Sequence, residues 1–353
     1  MLGLAGAGLA VWLAIPTHAG TPATGPVTGP VRGVICDPDG EVSFEARDAL
    51  LRAAEAARLQ PPWAVEVMHS AGASQIDEAV LDTRRAFSDA DATRTLALAW
   101  AWTGREVYAR AAADRLVHWA ETYVPTGHPI NETRLEGLVM AYSIVHDQLG
   151  EAEALQVRAF LQALREAKAA WTFGPVTAVN NHRTHQLKML RWLDEVLGST
   201  DKTDERRAQE RAHLEQNLDP VTGVSRDLLE RDALYYHVYT LEPWLEIAWL
   251  EGSVDPAVEA AVRYLIDRLE AGELGGEFEH SSSPLDAARA GAGFGYGRGG
   301  SEFEPRRARR VLWTYEAVTG RLLPAAVSAQ IAGGPDPHEL FYWLRRERCL
   351  PRR

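Results

Sequence analysis

From residue 43 onward, apolar positions recur at intervals of three and four, the spacing that lines one face of an α-helix. "SFEARDALLRAAEAARL" opens with Ser43 as a candidate N-cap. "DATRTLALAWAWTG" stops at Gly104 and is followed at once by "REVYARAAADRLVHWAETY". The pattern next predicts a helix in "NETRLEGLVMAYSIVHDQLG", with Asn131 as cap and Gly150 as stop. "EAEALQVRAFLQALREAKAAW" then runs unbroken for about five turns. Alternating runs of β-branched residues are nearly absent, so the chain is predicted to be all-α.

A helix–turn–helix plan recurs at residues 96–119, 245–269 and 311–331. Tandem helical hairpins bury one face against their neighbours and build solenoids or closed rings. Long irregular loops interrupt the repeats here, which favours an (α/α) toroid or incomplete barrel of about five to seven hairpins around a loop-lined cleft. No segment after residue 40 reads as an interdomain linker, so residues 36–353 are expected to form one domain. Residues 275–305, rich in Gly, Ser and aromatics, make a loop of a length that is usually functional. Its "GAGFGYG" lacks the preceding strand and following helix of a nucleotide fingerprint, and no cofactor is expected. A lid or binding loop is the expectation.

The N-terminus departs from the helical pattern. Residues 1–19 form an uncharged apolar run ending in Thr17-His18-Ala19, which reads as a signal peptide, although no positive segment precedes it. At about 15 apolar residues it is short for a membrane span. Residues 20–35 read as a flexible Pro/Gly/Thr leader, and the mature protein is expected to be periplasmic or secreted. Cys36 and Cys349, the only cysteines, are either a disulfide joining the chain ends or two separate thiols. The net charge of −12 argues against nucleic acid as a partner and requires that any acidic ligand be met by a local basic pocket. No second stretch could span a bilayer, so no membrane partner is expected after signal cleavage. The sequence leaves the oligomeric state open.

Polar and aromatic residues concentrate in four places: "TGHPINETRLE" (126–136), "NNHRTH" (180–185), "ERDALYYHVYTLEPW" (230–244) and the long loop. "NNHRTH" reads either as a solvated helix start capped by Asn180 or Asn181, or as amide and imidazole groups aimed at an anionic oxygen. His182 and His185 could share a face, but without carboxylates or thiols at ligand spacing nearby no metal site is expected. His185 and Lys188 read as a solvated continuation of the helix. Tyr235 and Tyr239 fall one turn apart on one helical face, with Tyr236 on another. His237 is a second candidate base or binding residue, or else a buried structural histidine. Asn131 is a cleft donor or a plain cap. Trp244, Trp249 and Trp313 are sugar-stacking platforms or core.

"HPINETRLEGLVMAYSIV", "NNHR" and "ALYYHVYTLEPW", in this order and at these separations, resemble the alginate-lyase-type polysaccharide lyases. "FEHSSSPLDAARAGAGFGYG", followed by "FEPRRARR", resembles the substrate loop of that group, so the similarity spans roughly residues 95–320. The resemblance implies an α/α toroid that cleaves an acidic polysaccharide such as alginate or glucuronan by β-elimination. It further implies Asn181 and His182 as the groups that neutralise the uronate carboxylate, and Tyr239 as the acid, and also the base in syn elimination. The family places an arginine seven residues before that tyrosine, where this chain has Asp232. Arg231 is the adjacent candidate, with Arg183 and Arg306 as substitutes, and the loop adds His280 and Arg289 as candidate substrate-binding residues. Two other readings are a glycoside hydrolase, drawing on Asp232, Glu242, Glu132 or Asp286, and a non-catalytic polysaccharide-binding protein.

Overall fold

The computed structural model describes residues 42–69, 78–199, 202–291 and 299–349. Residues 1–19 and 20–35, and with them Cys36, lie outside the described residues. Among the described residues the chain is helical, with isolated β-bridges only at Leu218–Ser225 and Glu277–Ser301. The helices are α1 (Phe44–Arg58), α2 (Glu78–Thr103), α3 (Glu106–Thr122), α4 (Glu136–Val145), α5 (Glu151–Ala170), α6 (Asn181–Leu197) and α7 (Thr203–Asn217). They continue as α8 (Arg226–Arg231), α9 (Leu234–Glu251), α10 (Pro256–Ala271), α11 (Pro284–Gly291), α12 (Arg309–Thr319), α13 (Ala325–Gln330) and α14 (Leu340–Cys349).

One row of helices follows the chain round the molecule: α2 packs on α4, α4 on α6, α6 on α9, α9 on α12 and α12 on α14. A second row lies outside it, with α3 against α2 and α4, α5 against α6, α7 against α6, α10 against α9 and α13 against α10. Contact of α14 with α1 brings the two ends of the array together. The consecutive inner–outer pairs are α2/α3, α4/α5, α6/α7, α9/α10 and α12/α13, and of these α2/α3, α6/α7 and α9/α10 pack directly on each other. All three sequence repeats fall on such pairs, and the turn after the inner helix is a left-handed glycine each time: Gly104, Gly252 and Gly320, with φ of 64°, 73° and 67°. Glycine enters that region without the penalty a Cβ would bring.

Several helix boundaries follow the sequence and two depart from it. Ser43 caps α1, its hydroxyl accepting from the Ala46 N–H at 3.2 Å. Gly150 does not stop a helix. It precedes α5, where the Glu153 carboxylate accepts from the Gly150 N–H at 2.9 Å. Nor does Asn131 cap a helix, because a 3₁₀ turn at Thr133–Leu135 intervenes and α4 begins at Glu136.

The interior carries buried charge. Lys168 pairs with Glu132 at 3.0 Å, both fully buried, and the same carboxylate accepts from the Tyr123 hydroxyl at 2.6 Å and the Gly127 N–H at 3.2 Å. Lys188, read from sequence as solvated, is instead buried and ion-paired with Glu136. Arg345 meets Glu246 at 2.8 Å. Such pairs persist only when both partners and their remaining hydrogen-bonding groups are satisfied. The tryptophans at 244, 249 and 313 are core residues. No helix of the described residues is long and apolar enough to cross a membrane.

Removing one member of a buried pair leaves the other charge stranded. Lys188→Met is therefore expected to cost about 3–5 kcal/mol of stability. Urea unfolding monitored by circular dichroism would measure it, and a loss below about 1 kcal/mol would contradict the pairing.

Candidate active site

The site forms where the N-terminus of α6 meets the first turns of α9. Asn180 caps α6, its side-chain oxygen accepting from the His182 N–H at 3.0 Å. Asn181 is thereby the first residue of the helix, and its main-chain N–H donates to Asp227 Oδ2 at 2.9 Å. The Asn181 amide nitrogen also donates, to Asp227 Oδ1. Asp227 Oδ2 takes a third bond, from the Thr240 hydroxyl at 2.8 Å. One buried carboxylate on α8 thus ties the Asn181–His182 corner to the residue beside Tyr239. An amide nitrogen carries two hydrogens, so one remains on Asn181 for a ligand. Burial outweighs the hydrogen bonds and raises the Asp227 pKa to about 6.

His182 is half-buried, with the His128 ring 6.2 Å away, and Trp171 lies 4.8 Å from His128 on its other side. Burial, and then the nearby His128 and Arg231, lower the His182 pKa to about 4, so the ring is neutral at physiological pH. His128 Nδ1 accepts two main-chain N–H bonds, from Ile130 and Asn131, each at 3.2 Å. Its proton therefore resides on Nε2.

Three residues after His182, on the same helical face, His185 lies 4.3 Å from the Tyr239 ring, centroid to centroid. His185 is wholly buried, which corrects its reading as solvated surface. Tyr239 stacks on Tyr235 at 6.3 Å with a 12° interplanar angle, and the Arg307 guanidinium lies 5.2 Å from the Tyr235 ring. Tyr236 turns to the other side, against Phe278, as the helical spacing predicts. Burial, reinforced by Tyr235 and Glu242, pushes the Tyr239 phenol well above its ordinary pKa, while Arg134 acts in the opposite direction. Arg134 is itself paired with Asp91.

The remaining sequence candidates separate. Arg231 ends α8 and makes a bidentate ion pair with Asp286, and its guanidinium lies 3.8 Å from the Tyr236 ring. A left-handed residue, Asp232 (φ 48°), divides Arg231 from α9, so the two belong to different elements. Asp232 itself is a joint. Its carbonyl accepts from the Phe278 N–H at 2.7 Å and its carboxylate from the His280 N–H at 2.8 Å. Arg289, on α11, donates to the Tyr236 hydroxyl at 3.3 Å, and the exposed His280 stands at the start of the same loop.

Arg183 turns away, to Gln186 and the Phe173 ring. Arg306 is exposed on the side of Gly333, and Arg307 takes the place facing the tyrosines. Asn131 donates its amide to the Met68 carbonyl at 3.0 Å. His237 is withdrawn from the ligand candidates: it is fully buried, with Nδ1 3.0 Å from Ser225 Oγ and Nε2 3.0 Å from the Ala261 carbonyl.

Each carboxylate considered for glycoside hydrolysis is engaged elsewhere: Glu132 with Lys168, Asp286 with Arg231, Glu242 with Arg310, and Asp232 with the loop. Among the described residues no group of three His, Cys, Asp or Glu side chains is placed to hold a metal. Sequence reasoning missed His128, Trp171, Asp227, His185 and Arg307. Of these, His128 and His185 lay in patches singled out for other residues, and Arg307 in the arginine run that follows the long loop.

The alginate lyase family profile matches residues 41–255. Among solved structures the chain is similar to an alginate lyase from Bacteroides ovatus, with 16% identity and a TM-score of 0.61, covering 84% of this chain and 93% of that one. It is also similar to alginate lyase A1-III from Sphingomonas species A1, with 16% identity and a TM-score of 0.55, covering 88% and 94%. A histidine-to-alanine variant of A1-III, complexed with a tetrasaccharide, aligns at 15% identity and a TM-score of 0.51, covering 84% and 89%. At these identities the structural likeness establishes a shared toroidal fold. No curated protein matches the chain.

Burial lowers the His237 pKa from 6.5 to about 4. As pH falls, the unfolded chain takes that proton first, so this contribution to stability is intact above about pH 6.5 and lost progressively toward pH 4. His237→Gln is expected to flatten the pH dependence of the urea midpoint between pH 7 and 4.5. An unchanged slope would contradict this.

Proposed function

The chain belongs to the alginate lyase family, and from that premise we propose that it cleaves a uronic-acid polymer by β-elimination where α6 meets α9. It is a polysaccharide lyase. The finer assignments below are supported above all by one observation: Asp227 bonds both Asn181 and Thr240, which links the first turn of α6 to the turn of α9 that carries Tyr239.

The reaction removes the C5 proton of a uronate, forms the C4=C5 double bond, breaks the C4–O4 bond and leaves a proton on O4. A carboxylate at C5 already bears the charge that must grow, so donors have to strengthen as a dianion develops. The remaining amide hydrogen of Asn181 and the imidazole of His182 supply them. Asp227 keeps the amide from turning, which makes the donor ready before substrate binds.

Tyr239 serves as the acid. Its raised pKa keeps the phenol protonated at neutral pH, the form needed to donate to O4. Where the C5 proton and O4 lie on the same face of the sugar, Tyr239 serves both proton transfers. Where they lie on opposite faces, neutral His182 takes the C5 proton. Arg307, Arg231 and Arg289 border the tyrosines and give an otherwise acidic chain a local attraction for a polyanion. Asn131 and His280 stand as further substrate contacts. Trp171, beside His128, offers a stacking surface for a sugar ring. The proposed substrates are alginate, glucuronan or a related polyglucuronate. The apolar run at residues 1–19 supports export to the periplasm or beyond.

Incubation with a panel of uronate polymers is expected to raise the ultraviolet absorbance of the unsaturated product with at least one of them. No rise at any pH would overturn the lyase reading for these polymers. Tyr239→Phe and His182→Ala are each expected to lower kcat by about 10²–10⁴-fold while polymer binding is retained. On the acid side, His182 should enter the kcat/KM profile near pH 4 rather than near 6.5, below the limb near 6 contributed by protonation of Asp227.

A further inference from the structure

Pro243 lies inside α9. Proline has no N–H, so the carbonyl four residues earlier loses its intrahelical partner. That residue is Tyr239. The proposed acid thus sits on a main-chain carbonyl whose ordinary helical donor is missing.

The group packed against Tyr239 is His185, 4.3 Å away ring to ring. Its protonation is settled by its neighbours. Lys188 Nζ donates to Thr133 Oγ1 at 2.9 Å and to the Thr133 carbonyl at 2.9 Å. The Thr133 hydroxyl, having accepted from the ammonium, gives its own proton to His185 Nδ1, 2.7 Å away. The histidine proton is then on Nε2. That atom is buried and makes no well-formed hydrogen bond. A buried donor without an acceptor is costly, and so is a buried carbonyl without a donor. The Tyr239 carbonyl is also the main-chain group that favours a proton on the His185 ring.

We infer that His185 is a positioning residue: its Nε2–H serves the Tyr239 carbonyl that Pro243 leaves open, and so fixes the height and direction of the Tyr239 phenol. The inference rests on the reading of Tyr239 as acid. His185 touches no substrate in this scheme. The ammonium of Lys188 sets the Thr133 hydroxyl, the hydroxyl sets the imidazole tautomer, and the imidazole holds the backbone of α9 at its proline.

The test is a cycle of wild type, His185→Phe, Pro243→Ala and the double variant. Pro243→Ala returns an N–H to position 243, so the Tyr239 carbonyl regains a partner from within its helix. With Pro243 present, His185→Phe should lower kcat about tenfold to a hundredfold at unchanged KM, the size expected of a misplaced catalytic group. In the Pro243→Ala background the same change should cost less than about threefold. His185→Gln, which retains a donor, should recover part of the loss.

Equal losses in both backgrounds, or a change confined to KM, would overturn the inference. Thermal midpoints of the same four proteins read the coupling without substrate: the His185→Phe loss should shrink when Pro243 is replaced, and strictly additive losses would overturn it. Nitrogen-15 spectra of the wild-type protein provide a measurement that needs no variant to fold. They should show the His185 proton on Nε2, and a proton on Nδ1 instead would also overturn it. If Tyr239→Phe keeps full turnover, the acid assignment fails, while the midpoints and spectra still decide the carbonyl contact.

Discussion

Everything at the site depends on the buried carboxylate of Asp227. It lies on a six-residue helix too short to hold itself, yet it receives the Asn181 N–H, the Asn181 amide and the Thr240 hydroxyl. The first turn of a helix exposes N–H groups that need an acceptor, and an anion there also meets the positive end of the helix dipole. Asp227 fulfils both requirements for α6 while reaching across to α9. Burial works against the charge, as its raised pKa records, so the three donors have to offset the desolvation.

A second set of buried polar contacts runs behind the first. Glu132–Lys168 ties the turn before α4 to the end of α5, and Glu136–Lys188 ties α4 to α6. Between them stands Thr133, bonded to both Lys188 and His185. Buried ion pairs of this kind add little net stability compared with apolar packing, but they penalise any other register of the helices. The arrangement therefore puts its electrostatic investment into the alignment of α4, α5 and α6.

The legible part of the sequence was the periodic part. Helical spacing, the Ser43 cap and the repeated turn glycines follow from local rules, and so does the division of Tyr235 and Tyr239 from Tyr236. Long-range partners had no such signal. Lys188 and His185 read as solvated because charged and imidazole side chains usually are, and nothing near them in sequence announces Glu136 or Thr133. Gly150 was misread because a glycine that ends one helix and one that begins the next look alike without the backbone. His237 was ambiguous for a similar reason: its partners, Ser225 and Ala261, belong to other segments. Asp232 looked like a lost arginine, since only the left-handed turn after Arg231 reveals that the two residues belong to different elements.

The start of the segment at 275–305 is joined to α9 as a structural member. Glu277 accepts from the N–H groups of Leu234 and Tyr235, the latter at 3.1 Å, and so caps α9 from outside. Asp232 and Phe278, both left-handed without being glycine, are bonded across the joint. Exchanging this loop with that of a relative would therefore replace a helix cap along with the loop surface. A chimera that omits the Asp232–Phe278 bond and the Glu277 cap would carry its new loop beside a frayed helix, so the natural module for transplantation runs from residue 230 rather than from 275.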